Sequence, residues 1–78
     1  MKNIRLESIK EDALEMYYTA INSRSTKAME GIINYLRIEE DKIKRTKSLA
    51  ICENAIDVIN MLNMLEQSLV YQRTGGTK

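Results

Sequence analysis

"EEDKIKRTKS", residues 39–48, has one apolar side chain in ten, Ile43, and its reading decides whether the chain folds as two helices or three. Upstream of it, Ala28, Met29, Ile32, Ile33 and Leu36 recur at three- and four-residue steps, and Ile43 continues their stripe. Downstream, a second apolar tract begins at Leu49. Carrying about 100° per residue across the polar stretch leaves the downstream arc roughly 120° away from the upstream stripe. A single straight helix would present two unrelated faces. The spacing therefore predicts a break between Arg45 and Ser48, with Thr46 or Ser48 as a cap; one uninterrupted helix over 27–72 is the alternative.

Working outward, residues 4–22 read as an amphipathic helix. Leu6, Ile9, Ala13, Met16, Tyr17 and Ala20 fall on one stripe, with Leu14 and Ile21 beside it. Asn3 is a candidate N-cap, and Glu7, Glu11 and Asp12 put negative charge at the positive end of the helix dipole. "NSRST", residues 22–26, interrupts the pattern, because Asn and Ser side chains compete for backbone hydrogen bonds. Ser25 or Thr26 can cap a second helix over 27–44. On that helix Glu40 precedes Lys44 and Asp41 precedes Arg45 by four residues, the favourable order for ion pairs.

The third helix, 48–72, is greasier than one core face requires. Ile51, Cys52, Ala55, Ile56, Val58, Ile59, Leu62, Leu65, Leu69 and Val70 span an arc of about 180°, whereas a helix facing one neighbour needs nearer 100°. Met61, Met64 and Tyr71 lie outside even that arc. The excess points to two neighbours, the helix's own bundle and another chain, with Ala55, Ile56, Val58, Ile59, Met61, Leu62, Met64 and Leu65 as candidate partner-binding positions. Met61 and Met64 are read as docking residues, since the arc already holds enough aliphatic side chains for a core. Residues 1–73 thus form a single all-α domain, a small antiparallel helical hairpin or a three-helix bundle. "TGGTK", residues 74–78, reads as a flexible C-terminal tail.

Composition narrows the function classes. A 78-residue chain buries only about 60–65% of its unfolded surface, so its own core is marginal. One cysteine and no histidine exclude a disulfide framework and the common zinc sets, and no cofactor is expected. Twelve basic against eleven acidic residues, net charge +1, argue against a dedicated nucleic-acid binder. The longest uninterrupted apolar run, "LAIC" at 49–52, is far too short for a membrane span, and the N-terminus carries no secretory h-region. A cytoplasmic location is the default expectation.

No residue set reads as catalytic, and the chain is expected not to be an enzyme. Cys52 sits among apolar neighbours with no cation fixed nearby, so a packed, structural thiol is the expectation. Glu39, Glu40 and Asp41 are explained by salt pairing with the basic run Lys42, Lys44, Arg45 and Lys47. "GGTK" lacks the upstream glycine spacing, strand and helix of a phosphate loop. Asn63 and Glu66 interrupt the apolar arc, either at its wet edge or as register-setting polar groups against a partner. Gly31 is tolerated within the second helix, or admits another helix closely.

The run Glu53-x-Ala55-Ile56-x-Val58-Ile59 resembles the small co-chaperones of type III secretion needle subunits, over about residues 48–72. The resemblance implies a helical-hairpin protein of a Gram-negative cytoplasm. Such a protein would bind a helical-repeat chaperone and keep an aggregation-prone needle subunit unpolymerised, with Ala55, Ile56, Val58 and Ile59 as contact positions. "NSRST" stands where that family has a Gly-rich turn. The alternative reading is a homodimeric or larger homo-oligomeric helical regulator binding a transcription or phage- or plasmid-type protein.

Overall fold

The computed structural model describes residues 4–52 and 54–74. Among these residues there are four helices and no strand: α1 (Ile4–Ser23), α2 (Thr26–Arg45), α3 (Lys47–Ala50) and α4 (Ala55–Arg73). The expected all-α class is observed, and the first two helices fall within one residue of their expected bounds. Asn3 and residues 75–78 of the expected tail lie outside the described residues.

The α1–α2 turn is built by hydroxyl chemistry in place of glycine. Arg24 adopts a left-handed backbone with φ 56°, and its N–H bonds the Ala20 carbonyl at 3.3 Å. Ser23 Oγ donates to the Ala20 carbonyl at 2.8 Å and accepts from the Ser25 amide at 3.2 Å. Ser25 is the N-cap of α2, its Oγ accepting from the Ala28 amide at 3.2 Å. The second break falls at Thr46, inside the expected window. Its backbone is extended, with φ −87° and ψ 105°, while its amide and hydroxyl both bond the Lys42 carbonyl, at 3.0 and 2.8 Å.

The expected third helix over 48–72 is corrected to two pieces, the one-turn α3 and the long α4. In a continuous helix Ile51 would take the core-facing phase of α4, and Leu49 would point nearly opposite. The chain does the reverse: Leu49 is 4% exposed and Ile51 84% exposed. Breaking the helix lets Leu49 turn inward and join the core cluster that also holds Ile43, which is fully buried. Cys52 accordingly occupies the turn between α3 and α4 and not the middle of a helix face. It is half-buried, and its thiol donates to the Ser48 carbonyl at 3.3 Å.

Three long helices pack as an up–down–up bundle of about 40 × 20 × 15 Å. Two hydrogen bonds set α1 parallel to α4: Asn54 Nδ2 to Glu7 Oε2 at 2.8 Å near their starts, and Tyr17 Oη with Ser68 Oγ at 2.7 Å further along. Two ion pairs set α2 antiparallel to α4: Arg37 with Glu66 at 2.7 Å, and Arg73 with Glu30 at 3.9 Å. The buried residues Ala55, Val58, Leu62, Leu65 and Leu69 of α4 step by three and four in alternation, the heptad seam of packed helices. Facing them are Leu6, Ile9, Ala13 and Ala20 of α1 and Met29, Ile32, Ile33, Leu36 and Ile43 of α2.

Gly31 faces outward, and a Cβ built there would have no neighbour within 4 Å. Its cost is therefore only the backbone entropy of glycine in a helix. Gly31→Ala is expected to stabilise the fold by about 0.5–1 kcal/mol, read as a higher urea midpoint with unchanged slope. A destabilised variant would reveal a second chain packed against this position.

Candidate functional site: the outer face of the last helix

The charged side chains of α2 are largely occupied with one another. Lys42 pairs with Glu39 at 3.5 Å, Lys44 with Glu40 at 2.9 Å, and Arg45 with Asp41 at 2.9 Å. The two pairs expected at four-residue spacing are both present. Each is a solvated pair worth little alone, but together they cancel the field that the basic run would offer a phosphate backbone. The Lys44 ammonium is raised above its ordinary pKa by its hydrogen bond to Glu40. The Tyr35 hydroxyl is likewise raised, by burial first and then by the carboxylates of Glu39 and Asp12. Both shifts move away from neutral pH. Among the described residues, no three His, Cys, Asp or Glu side chains gather as a metal site, and no helix is long and apolar enough to cross a membrane.

Surface composition then separates the helices. The exposed residues of α1 include the charged Arg5, Lys10, Glu11, Asp12 and Glu15. Those of α2 include Lys27, Glu30, Arg37 and the paired cluster at its end. On α4 the exposed residues are Ile56, Asp57, Asn60, Asn63, Met64, Gln67, Tyr71 and Gln72, with Asp57 the sole charge. Three of these are large and apolar: Ile56 is 67% exposed, Met64 66% and Tyr71 60%. At 100° per residue Ile56, Asn60, Asn63, Met64, Gln67 and Tyr71 form one stripe about 100° wide, pointing away from the bundle. Charge depletion with Met and aromatic enrichment is the composition found at the centre of protein interfaces.

The eight expected partner-binding positions divide sharply. Ala55, Val58, Leu62 and Leu65 lie in the protein's own core, at 0%, 1%, 0% and 8% exposure, so their assignment to a partner is corrected. The 180° arc had merged two seams, because α1 and α2 flank α4 from two directions and between them take up most of it. Ile59 and Met61 are half-buried and pack against the core from its two margins. Met61 is therefore separated from Met64, its expected companion in docking. Ile56 and Met64 alone of the eight stand on the outer stripe. Glu66, read as an edge or register residue, has a side chain only 12% exposed and joins α4 to Arg37 of α2, whereas Asn63 is exposed.

Sequence reasoning missed Asn60 and Gln67 as members of the stripe, and it set Tyr71 outside the core arc without naming it a docking position. The available signal was the lack of charge at every outward position from 60 to 72, which hydrophobicity counting does not register. It also missed Asn54, which is 8% exposed and holds Glu7, while its Oδ1 has no hydrogen-bond partner among the described residues. The chain matches no family model, no curated protein and no solved structure.

Proposed function

We propose that this chain is a small protein-binding module whose docking surface is the outer face of α4. The observation that carries the reading is the uncharged stripe Ile56–Asn60–Asn63–Met64–Gln67–Tyr71, which runs most of the length of α4, on a protein whose α1 and α2 each carry several exposed charges. Its three exposed apolar side chains supply the area that desolvates on contact, and its three amides supply adaptable hydrogen bonds at the margin. A helix laid along this face would bury them in the helix-on-helix manner of peptide recognition. Covering the amphipathic helix of a self-assembling subunit, the role implied by the co-chaperone resemblance, is one use such a face serves. Of the four contact positions that resemblance implies, Ile56 is open to a partner, Ile59 only in part, and Ala55 and Val58 are enclosed by the bundle.

The test compares wild type with Met64→Glu/Tyr71→Glu and with the α1-face control Lys10→Glu, by sedimentation and by quantitative cross-linking in the native host. The α4 variant is expected to weaken association, with another protein or with itself, at least tenfold (on the order of 1.4 kcal/mol or more). Its helix content should not change, because both positions are exposed. The control should associate as wild type does. Equal association of all three proteins overturns the docking surface.

A further inference from the structure

The side-chain amide at the start of α4 is only half used. Asn54 stands at the N-cap position, where an asparagine oxygen ordinarily accepts from an amide of the first turn. Here the side chain makes no capping bond, and the backbone, at φ −97° and ψ 10°, lies outside the extended region of a capping residue. The side chain turns instead to α1, where Nδ2 donates to Glu7 Oε2 at 2.8 Å. Oδ1 is buried, and among the described residues no donor reaches it. Glu7 in its carboxylate form only accepts, so it cannot serve that oxygen.

We propose that Glu7 and Asn54 form a latch with two positions, which lets the first turns of α1 open locally while the rest of the bundle stays closed. Latched, Asn54 ties α1 to α4, Oδ1 lacks a donor and α4 lacks a cap. Released, Oδ1 accepts from the first-turn amides of α4 and Glu7 returns to water. The latched position keeps one charge-assisted hydrogen bond but forgoes the cap and leaves a buried acceptor unmet, so the two positions lie close in free energy. The other tie between these helices has no such defect: Tyr17 Oη and Ser68 Oγ are hydrogen-bonded at 2.7 Å, about three turns further along α1. Opening at Glu7 therefore stops short of Tyr17 and uncovers Leu6, which is fully buried in the closed bundle. The latch is independent of the docking surface on the outer face of α4.

Amide exchange of the full chain at neutral pH tests this. The amides of residues 8–11 bond the carbonyls of the first turn of α1 and report its opening. In the wild type they are expected to be roughly tenfold or more less protected than those of residues 18–22, with little dependence on dilute urea. Glu7→Gln supplies an N–H for Oδ1 while keeping an oxygen for Nδ2, so the latch becomes a doubly bonded amide pair. Protection of residues 8–11 should then rise about fivefold or more. Asn54→Asp sets a carboxylate against Glu7 and improves the cap. It should lower protection of residues 8–11 about tenfold while raising that of the Ile56 or Asp57 amide. Adding Glu7→Gln to Asn54→Asp restores a donor between the two positions and should recover most of the loss. Even protection along α1 in the wild type overturns the latch, as does a Glu7→Gln variant with protection unchanged or lowered, and these two results decide the matter even if Asn54→Asp does not fold. Unchanged or parallel loss of protection at residues 8–11 and at the start of α4 in Asn54→Asp, or a double variant no better protected than Asn54→Asp alone, also overturns it.

Discussion

Replacing Leu62 with alanine is expected to cost about 2–5 kcal/mol and to lower the melting temperature by roughly 10–25 °C. Leu62 is the middle residue of the α4 seam, fully buried and enclosed by both neighbouring helices. Removing three carbons there loses their transfer energy and leaves a cavity that three helices, fixed by ion pairs and hydrogen bonds on either side, collapse around only in part. For a domain of 78 residues total stability is about 4–12 kcal/mol, so this one change takes a large share of it. Met64→Ala, two positions on and 66% exposed, should change stability by no more than about 0.5 kcal/mol. Urea unfolding of both variants checks the contrast. Similar costs at the two positions would mean that α4 is rotated about its axis relative to the bundle described here, and the outer stripe would lose its basis.

That contrast marks where sequence legibility stops. The helical class, the bounds of α1 and α2, the Ser25 cap, the two ion pairs beside "IKR" and the break near Thr46 all follow from period, capping chemistry and charge spacing, which act within four or five residues. The split between α3 and α4 does not. Both Leu49 and Ile51 are apolar, and a continuous arc accommodates Ile51 well. Only the third dimension, in which Leu49 enters the core and Ile51 faces solvent, decides against it. The candidate site was legible in part for a related reason. An apolar arc of 180° has two readings, a helix with an outside partner or a helix in the middle of its own chain, and in this bundle α4 touches both α1 and α2. Periodicity gives the width of a face, not the identity of what covers it. Ile56 and Met64 belong to the outer stripe because of their phase relative to Val58 and Leu62, whereas Met61 differs from Met64 only by a turn of 300° that brings it back toward the core.

Ile43→Ala is the second large effect, about 2–4 kcal/mol, and its interest lies in how it should propagate. Ile43 is fully buried although its neighbours Asp41, Lys42, Lys44 and Arg45 are all exposed. It is thus the one side chain that holds the last turn of α2 down against the bundle, and Leu49 joins it in the core after the chain turns at Thr46. Without that anchor the ion pairs of the last turn remain, but they lie along α2 itself and tie it to no other element. The variant should therefore lose protection from amide exchange first over residues 42–52, α3 included, at an opening energy below that of global unfolding. The seam from Leu62 to Leu69 should stay protected until the whole domain unfolds. Ile38→Ala, one turn earlier and 54% exposed, should leave the exchange pattern as it is in the wild type. Uniform loss of protection across all helices in Ile43→Ala would show that the polar stretch folds as one unit with the rest. The break at Thr46 would then be only a bend in the path of the chain, not a joint between a stable bundle and a corner pinned by one isoleucine.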